Sequence, residues 1–230
     1  MHSLKIFEKH IPYLLPLLLM FYRGLADFTV LFIGILFLYK SYKDSSWLWA
    51  KEPWFKMALL FVFYLLTVNV FISLNPQDSF FYALTFLRWP IFAAALAYWL
   101  LKQEDSIKKF LIGVLIITAF FVFDVWYQFF QGEDIFGYSK YSEGRLTGPL
   151  RNNPVVGIFI TKYLYILLTS VIIFNKFTKN SMQIFAILSL LLIGFITVFI
   201  TGERMSFILF TSSILIILLA IPTQIKPKLL

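Results

Sequence analysis

Unbroken apolar runs approaching ~20 residues recur along this 230-residue chain, each close to the length a helix needs to cross a ~30 Å hydrocarbon layer. A soluble domain of this length could not cover so much apolar surface, because 60% of the residues are hydrophobic and only 14% are charged. The runs are continuous rather than alternating at period two, which argues against a transmembrane β-barrel. The expected fold is all-α: a polytopic transmembrane helical bundle forming one domain over residues 1–230. Eight apolar segments are read, at 11–22, 28–39, 57–74, 83–101, 110–130, 154–175, 182–200 and 205–221. The first two are short and read as a hairpin that only just spans, turning at Arg23-Gly24-Leu25-Ala26-Asp27.

Charge sets the expected threading. Lys5 and Lys9, Lys40 to Lys56, Lys102 to Lys109, Lys176 and Lys179, and Lys226 and Lys228 fall in alternate connections. Lysine-rich loops mark the cytoplasmic face, so both termini are expected in the cytoplasm of a multi-pass membrane protein. Lys5 and Lys9 precede an apolar stretch with no small-residue cleavage site after it, which reads as an uncleaved first span. Trp47, Trp49 and Trp54 beside the 40–56 loop read as an interfacial aromatic belt. The outward connections are then 23–27, 75–82, 131–153 and 201–204, of which 131–153 is the main loop.

All five arginines fall toward that lysine-poor side, against the usual bias. Guanidinium is permanently charged and offers a planar fork of donors to phosphate oxygens, so an anionic, phosphate-bearing substrate is the expected reason. Arg145 precedes the Leu146-Thr147-Gly148-Pro149 turn, and Arg151 precedes Asn152-Asn153-Pro154. Arg204 lies in Thr201-Gly202-Glu203-Arg204-Met205-Ser206-Phe207, so tight a turn that its charges sit near membrane depth, which is costly without a partner or a task. Arg88 lies inside the fourth segment, where snorkelling to headgroups explains it equally well. The alternative for the loop arginines is scattered solvated charge, and for Arg204 a charged helix end. Arg23, with Asp27 four residues on, reads as structural.

Two charges lie deeper. Asp124, Gln128 and Gln131 form one polar stripe at helical spacing, and Lys162 sits in the following segment. An Asp124–Lys162 pair between consecutive spans would lower the cost of both. Glu143, Asp124 and Glu203 are the carboxylates nearest the outer face and the available bases.

The absences narrow the chemistry. There is no cysteine, and the only histidines are His2 and His10. No metal cluster, phosphate loop or dinucleotide fingerprint is present, so neither metal nor cofactor is expected. The net charge of +8 is spread over short loops and reads as orientation signal and attraction to membrane lipids, with no nucleic-acid surface.

Gln131-Gly132-Glu133-Asp134-Ile135-Phe136-Gly137, then Arg145-Leu146-Thr147-Gly148-Pro149, then Asn153-Pro154 with Gly157, resembles the central region of the bacterial O-antigen ligase and polymerase family. Thr201-Gly202-Glu203-Arg204 resembles that family's second hallmark, a small residue, Gly or Ser, then Arg, opening a span. The resemblance implies a glycosyltransferase of lipopolysaccharide and cell-surface polysaccharide biosynthesis. It would move glycan from a polyprenyl-diphosphate carrier, at the periplasmic face, to lipid A–core or to another glycan repeat. It also implies that Arg145 and Arg204 hold the carrier's diphosphate, with Arg151 and Arg88 as secondary candidates. Family members continue into further spans and a large outward loop with a histidine. This chain is therefore expected to correspond to the N-terminal part of such an enzyme, retaining carrier binding rather than turnover. Two other readings stand beside it: a small-anion transporter or channel, whose path Asp124, Lys162 and the arginines would line, and a non-catalytic assembly subunit.

Overall fold

The computed structural model describes residues 2–20, 23–174 and 180–220. Among these residues the regular structure is helical, with no strand and two isolated β-bridges, both in the 131–153 loop. The helices are α1 (His2–Met20), α2 (Arg23–Lys43), α3 (Pro53–Ile72), α4 (Pro76–Leu100), α5 (Glu104–Gln131), α6 (Val156–Phe174), α7 (Asn180–Ile200) and α8 (Arg204–Ala220). Five contain a stretch long and apolar enough to cross a membrane: Gly24–Lys43, Pro53–Ile72, Pro76–Leu100, Glu104–Gln131 and Ser181–Ile200. Val156–Ile172 and Arg204–Ile216 are apolar but shorter. In α1 the apolar half is interrupted by Pro12 and Pro16, each of which removes a backbone donor from the helix. The chain's contacts gather into two units, Met1–Phe110 and Leu111–Leu230, with the boundary inside α5.

In the first unit α2 packs on α1 and α4 around Leu15, Val30, Ile33, Phe37, Ala94, Ala95, Trp99 and Leu100. Gly34 lets the backbone of α2 come close to Ile91 of α4. Pro53 and Pro76 open α3 and α4 at the first helical position, where a missing N–H costs nothing and the fixed φ suits the helix. Near the lysine-rich connections, Glu8 accepts from Trp99 Nε1 at 2.6 Å and from Lys40 Nζ at 3.2 Å.

Three expectations are corrected in this unit. Arg23–Asp27 is the first turn of α2 and not a connection, so the second helix is longer than its apolar stretch. Residues 76–82 are likewise helical. Trp49 is no belt residue: it is buried between Phe37 and Phe55, and its Nε1 donates to Ser41 Oγ at 3.1 Å. Arg88 lies midway along α4, twelve residues from either end. Its Nη2 donates to Asp27 Oδ1 at 2.8 Å. The side chain of Arg23 lies outside the described residues, as do Lys176, Lys179, Lys226 and Lys228.

In the second unit α6, α7 and α8 pack on one another. Buried Val156, Ile160, Leu164, Leu167 and Leu168 form one helical stripe of α6. Gly194 of α7 sits where the three meet: a Cβ there would lie 2.6 Å from Leu164 Cδ1 and 2.8 Å from Phe210 Cζ. Val114, Ile117, Phe121 and Val125 are the buried stripe of α5, and Trp126 Nε1 reaches Thr197 Oγ1 of α7 at 3.0 Å.

Candidate functional site

Much of the long loop's backbone is hydrogen-bonded, either within the loop or to α5. Gln128, fully buried in the last turns of α5, accepts from the N–H groups of Thr147 and Gly148, both at 2.9 Å, through Oε1. Its Nε2 donates to Tyr138 O at 3.1 Å and to Thr147 Oγ1 at 3.0 Å. One side chain thus pins both halves of the loop to the helix end. Asp124, one turn deeper, accepts from the N–H of Ile135 at 2.9 Å. Asp134 accepts from the N–H groups of Phe136 and Tyr138, the local turn that aspartate favours before a glycine such as Gly137.

The loop's second half then meets the 201–203 turn. Leu146 N–H donates to Thr201 O at 3.0 Å. Gly202 has φ +69°, and a Cβ built on it would overlap the carbonyl oxygen of Gly144 and lie 3.4 Å from Arg145 Cα. Only glycine fits, both for the backbone conformation and for the space. Gly148, φ +52°, is wedged the same way, with Val156 and Val125 where its Cβ would be. The two arginine-bearing motifs, far apart in sequence, are therefore in direct backbone contact.

Glu203 precedes the first residue of α8 and reaches sideways: its Oε2 accepts from Ile158 N–H at 3.1 Å. A carboxylate on the free amides of the first turn of α6 is favoured by both hydrogen bonding and the helix dipole. Gly157 makes room, since a Cβ there would meet Glu203 Oε2 at 2.8 Å.

Three of the expected anion-binding residues lie in this unit. Arg145, Arg151 and Arg204 are exposed, and no described carboxylate lies within ion-pair distance of any of them. Arg145 lies over the Tyr141 ring at 5.9 Å and Arg151 over Tyr138 at 5.8 Å, so aromatic faces steady both guanidinium groups without neutralising them. Arg151 itself has φ +59° at the end of the Gly148–Leu150 turn. Arg88 belongs to the first unit, its charge matched by Asp27.

No family model, curated protein or solved structure matches this chain.

The expected Asp124–Lys162 pair does not form. Asp124 is fully buried and turned to the loop amide of Ile135, whereas Lys162 lies on the exposed face of α6. The polar stripe is likewise split: Asp124 and Gln128 are buried, and Gln131 is exposed. Of the candidate bases, Asp124 accepts from a backbone amide through Oδ1 while its buried Oδ2 has no partner, Glu203 accepts from a backbone amide, and Glu143 is exposed on the loop. Sequence reasoning missed Asp134 as a buried anchor and Glu203 as a cap. The Asp–x–x–Gly spacing signalled the first; nothing local signalled the second, whose partner is 45 residues away.

Proposed function

We propose that this chain binds the diphosphate of a polyprenyl-linked glycan at the outer edge of a bacterial inner membrane, as part of glycosyl transfer in cell-surface polysaccharide synthesis. In this reading its eight helices span or enter the bilayer with both termini cytoplasmic. Lipid A–core or a second glycan repeat is the acceptor class. The observation that carries the reading is the backbone contact between the Arg145 loop and the Gly202 turn, which joins two segments that each carry an unneutralised arginine. Unpaired guanidinium groups held on a rigid frame suit a multiply charged oxygen ligand. They also counter the charge that develops as a diphosphate leaves its sugar. Arg151 is the secondary candidate. Arg88 drops out because Asp27 already balances it.

The transporter reading has less support. Its path needed Asp124 and Lys162 on a common route, and the first faces a loop amide while the second faces outward from α6. The test is binding of farnesyl diphosphate to the chain in lipid nanodiscs. Each charge-assisted contact is worth ~1.5–3 kcal/mol, so Arg145→Ala and Arg204→Ala should each weaken binding at least ~10-fold. Wild-type affinity in both variants would end the proposal.

A further inference from the structure

We infer that Gly202 is a positioning and specificity-determining residue, which sets Arg145 against Arg204 so that the pair reads a diphosphate in preference to a monophosphate. The inference rests on the diphosphate reading and adds to it the element that sets the geometry. Arg145 Cα lies 3.4 Å from where a Gly202 Cβ would be, and Arg204 follows Gly202 by two residues. At ~3.8 Å per chain step, the two arginine Cα atoms are no more than about 13 Å apart. Two extended arginine side chains can close that distance around one anion. A single guanidinium suffices for one phosphate; two held at a set separation are what distinguish two linked phosphates from one.

The approach is defined from three directions. Gly202 abuts the Gly144 carbonyl, Thr201 O holds the Leu146 amide at 3.0 Å, and Gln128 holds the amides of Thr147 and Gly148 from below. Glu203 fixes the other side of the turn to α6 through Ile158 N–H. The turn and residues 146–148 are thus held, and the exposed residues 142–145 are the ones left to give way to a side chain at position 202. Any Cβ there displaces residues 144–145, and with them Arg145, away from the start of α8.

The chain contains no cysteine, so spin labels go only where cysteines are introduced. Labels at Glu143→Cys and Met205→Cys, both exposed positions, report the loop-to-helix distance in nanodiscs. The wild-type frame should give one narrow distribution, and Gly202→Ala should lengthen and broaden it. In unlabelled protein Gly202→Ala should lose at least ~10-fold in affinity for farnesyl diphosphate and little for farnesyl monophosphate, collapsing the preference between them. Gly202→Asn is the decisive companion. Asparagine tolerates positive φ, so it relieves the backbone strain while keeping the overlap with Gly144. The inference expects Asn to behave like Ala; recovery of wild-type distance and preference by Asn would reduce Gly202 to a turn former and overturn it. Gly137→Ala, at φ +82° with nothing within 4 Å of its Cβ, supplies the strain-only control and should leave the preference intact.

A double-mutant cycle separates acting through Arg145 from acting elsewhere. Adding Arg145→Ala to Gly202→Ala should cost little more than either alone, and full additivity would refute the positioning role. If Arg145→Ala and Arg204→Ala both leave binding intact, the diphosphate reading itself fails, whatever the label distances show. If they weaken binding and Gly202→Ala does not, only the positioning role fails.

Discussion

Replacing Gln128 by leucine should detach the 131–153 loop while leaving α5 folded. Leucine is close in volume and prefers helix, so the α5 backbone has no reason to change. The amides of Thr147 and Gly148, both buried, lose their shared acceptor. A buried donor left unsatisfied costs ~1–3 kcal/mol, so two of them amount to roughly 2–6 kcal/mol, before any loss at Tyr138 O. That energy falls on the loop, which can open to water, rather than on the helices, which cannot. Local opening is read by amide hydrogen exchange. At about 2 kcal/mol the amides of residues 147 and 148 should exchange at least ~30-fold faster than in the parent, while those of 117–125 keep their protection. Gln128→Glu is the informative partner, because it keeps an acceptor for both amides and gives up only the amide donor; its loop should open less than that of the leucine variant. Unchanged exchange at 147 and 148 in Gln128→Leu would show that the side chain does not hold the loop, and the frame for Arg145 would have to be explained otherwise.

Four further outcomes follow from the same contacts. Asp27→Ala should strand Arg88 in mid-helix and destabilise the first unit by ~1–2 kcal/mol after allowing for partial exposure, measured as a fall in thermal midpoint; Asp27→Ala with Arg88→Leu should recover most of it. Gly194→Ala should overpack the α6–α7–α8 junction at a cost of ~1–3 kcal/mol, seen as faster exchange in the second unit, and an unchanged profile would count against the crossing described. Glu203→Ala should cost ~1 kcal/mol at the start of α6, and Glu203→Gln, which can still accept from Ile158 N–H, should cost less by the same exchange assay. Ser142→Cys should label from outside intact cells and Asp44→Cys only after permeabilisation; the reverse pattern would invert the proposed threading.

The helical class was legible because continuous apolar runs admit few alternatives: in lipid every backbone amide must be satisfied within its own segment. Helix ends were less legible. Residues 23–27 and 76–82 are polar enough to read as connections, yet they extend α2 and α4, because a helix end beyond the apolar core costs little and gains backbone hydrogen bonds. Trp49 read as an anchor by its lysine-rich surroundings, and its burial depends on Phe37 and Phe55 reaching it from other segments.

The site divides along the same line. Residue type marked Arg88, Arg145, Arg151 and Arg204 alike, because guanidinium stays charged whatever the packing. Which charges are already spent is a matter of distance in space. Arg88 is matched by an aspartate 61 residues away, Glu203 caps a helix end 45 residues back, and Asp124 turns one oxygen to a loop amide rather than to Lys162. Hydropathy and charge are local properties that the chain carries unfolded, so sequence by itself determined the helical class and the candidate arginines. Pairing of charges and the contact of Gly202 with the Gly144 carbonyl join segments remote along the chain, so only tertiary structure decided which arginines remain free and that the loop carrying Arg145 touches the turn before Arg204.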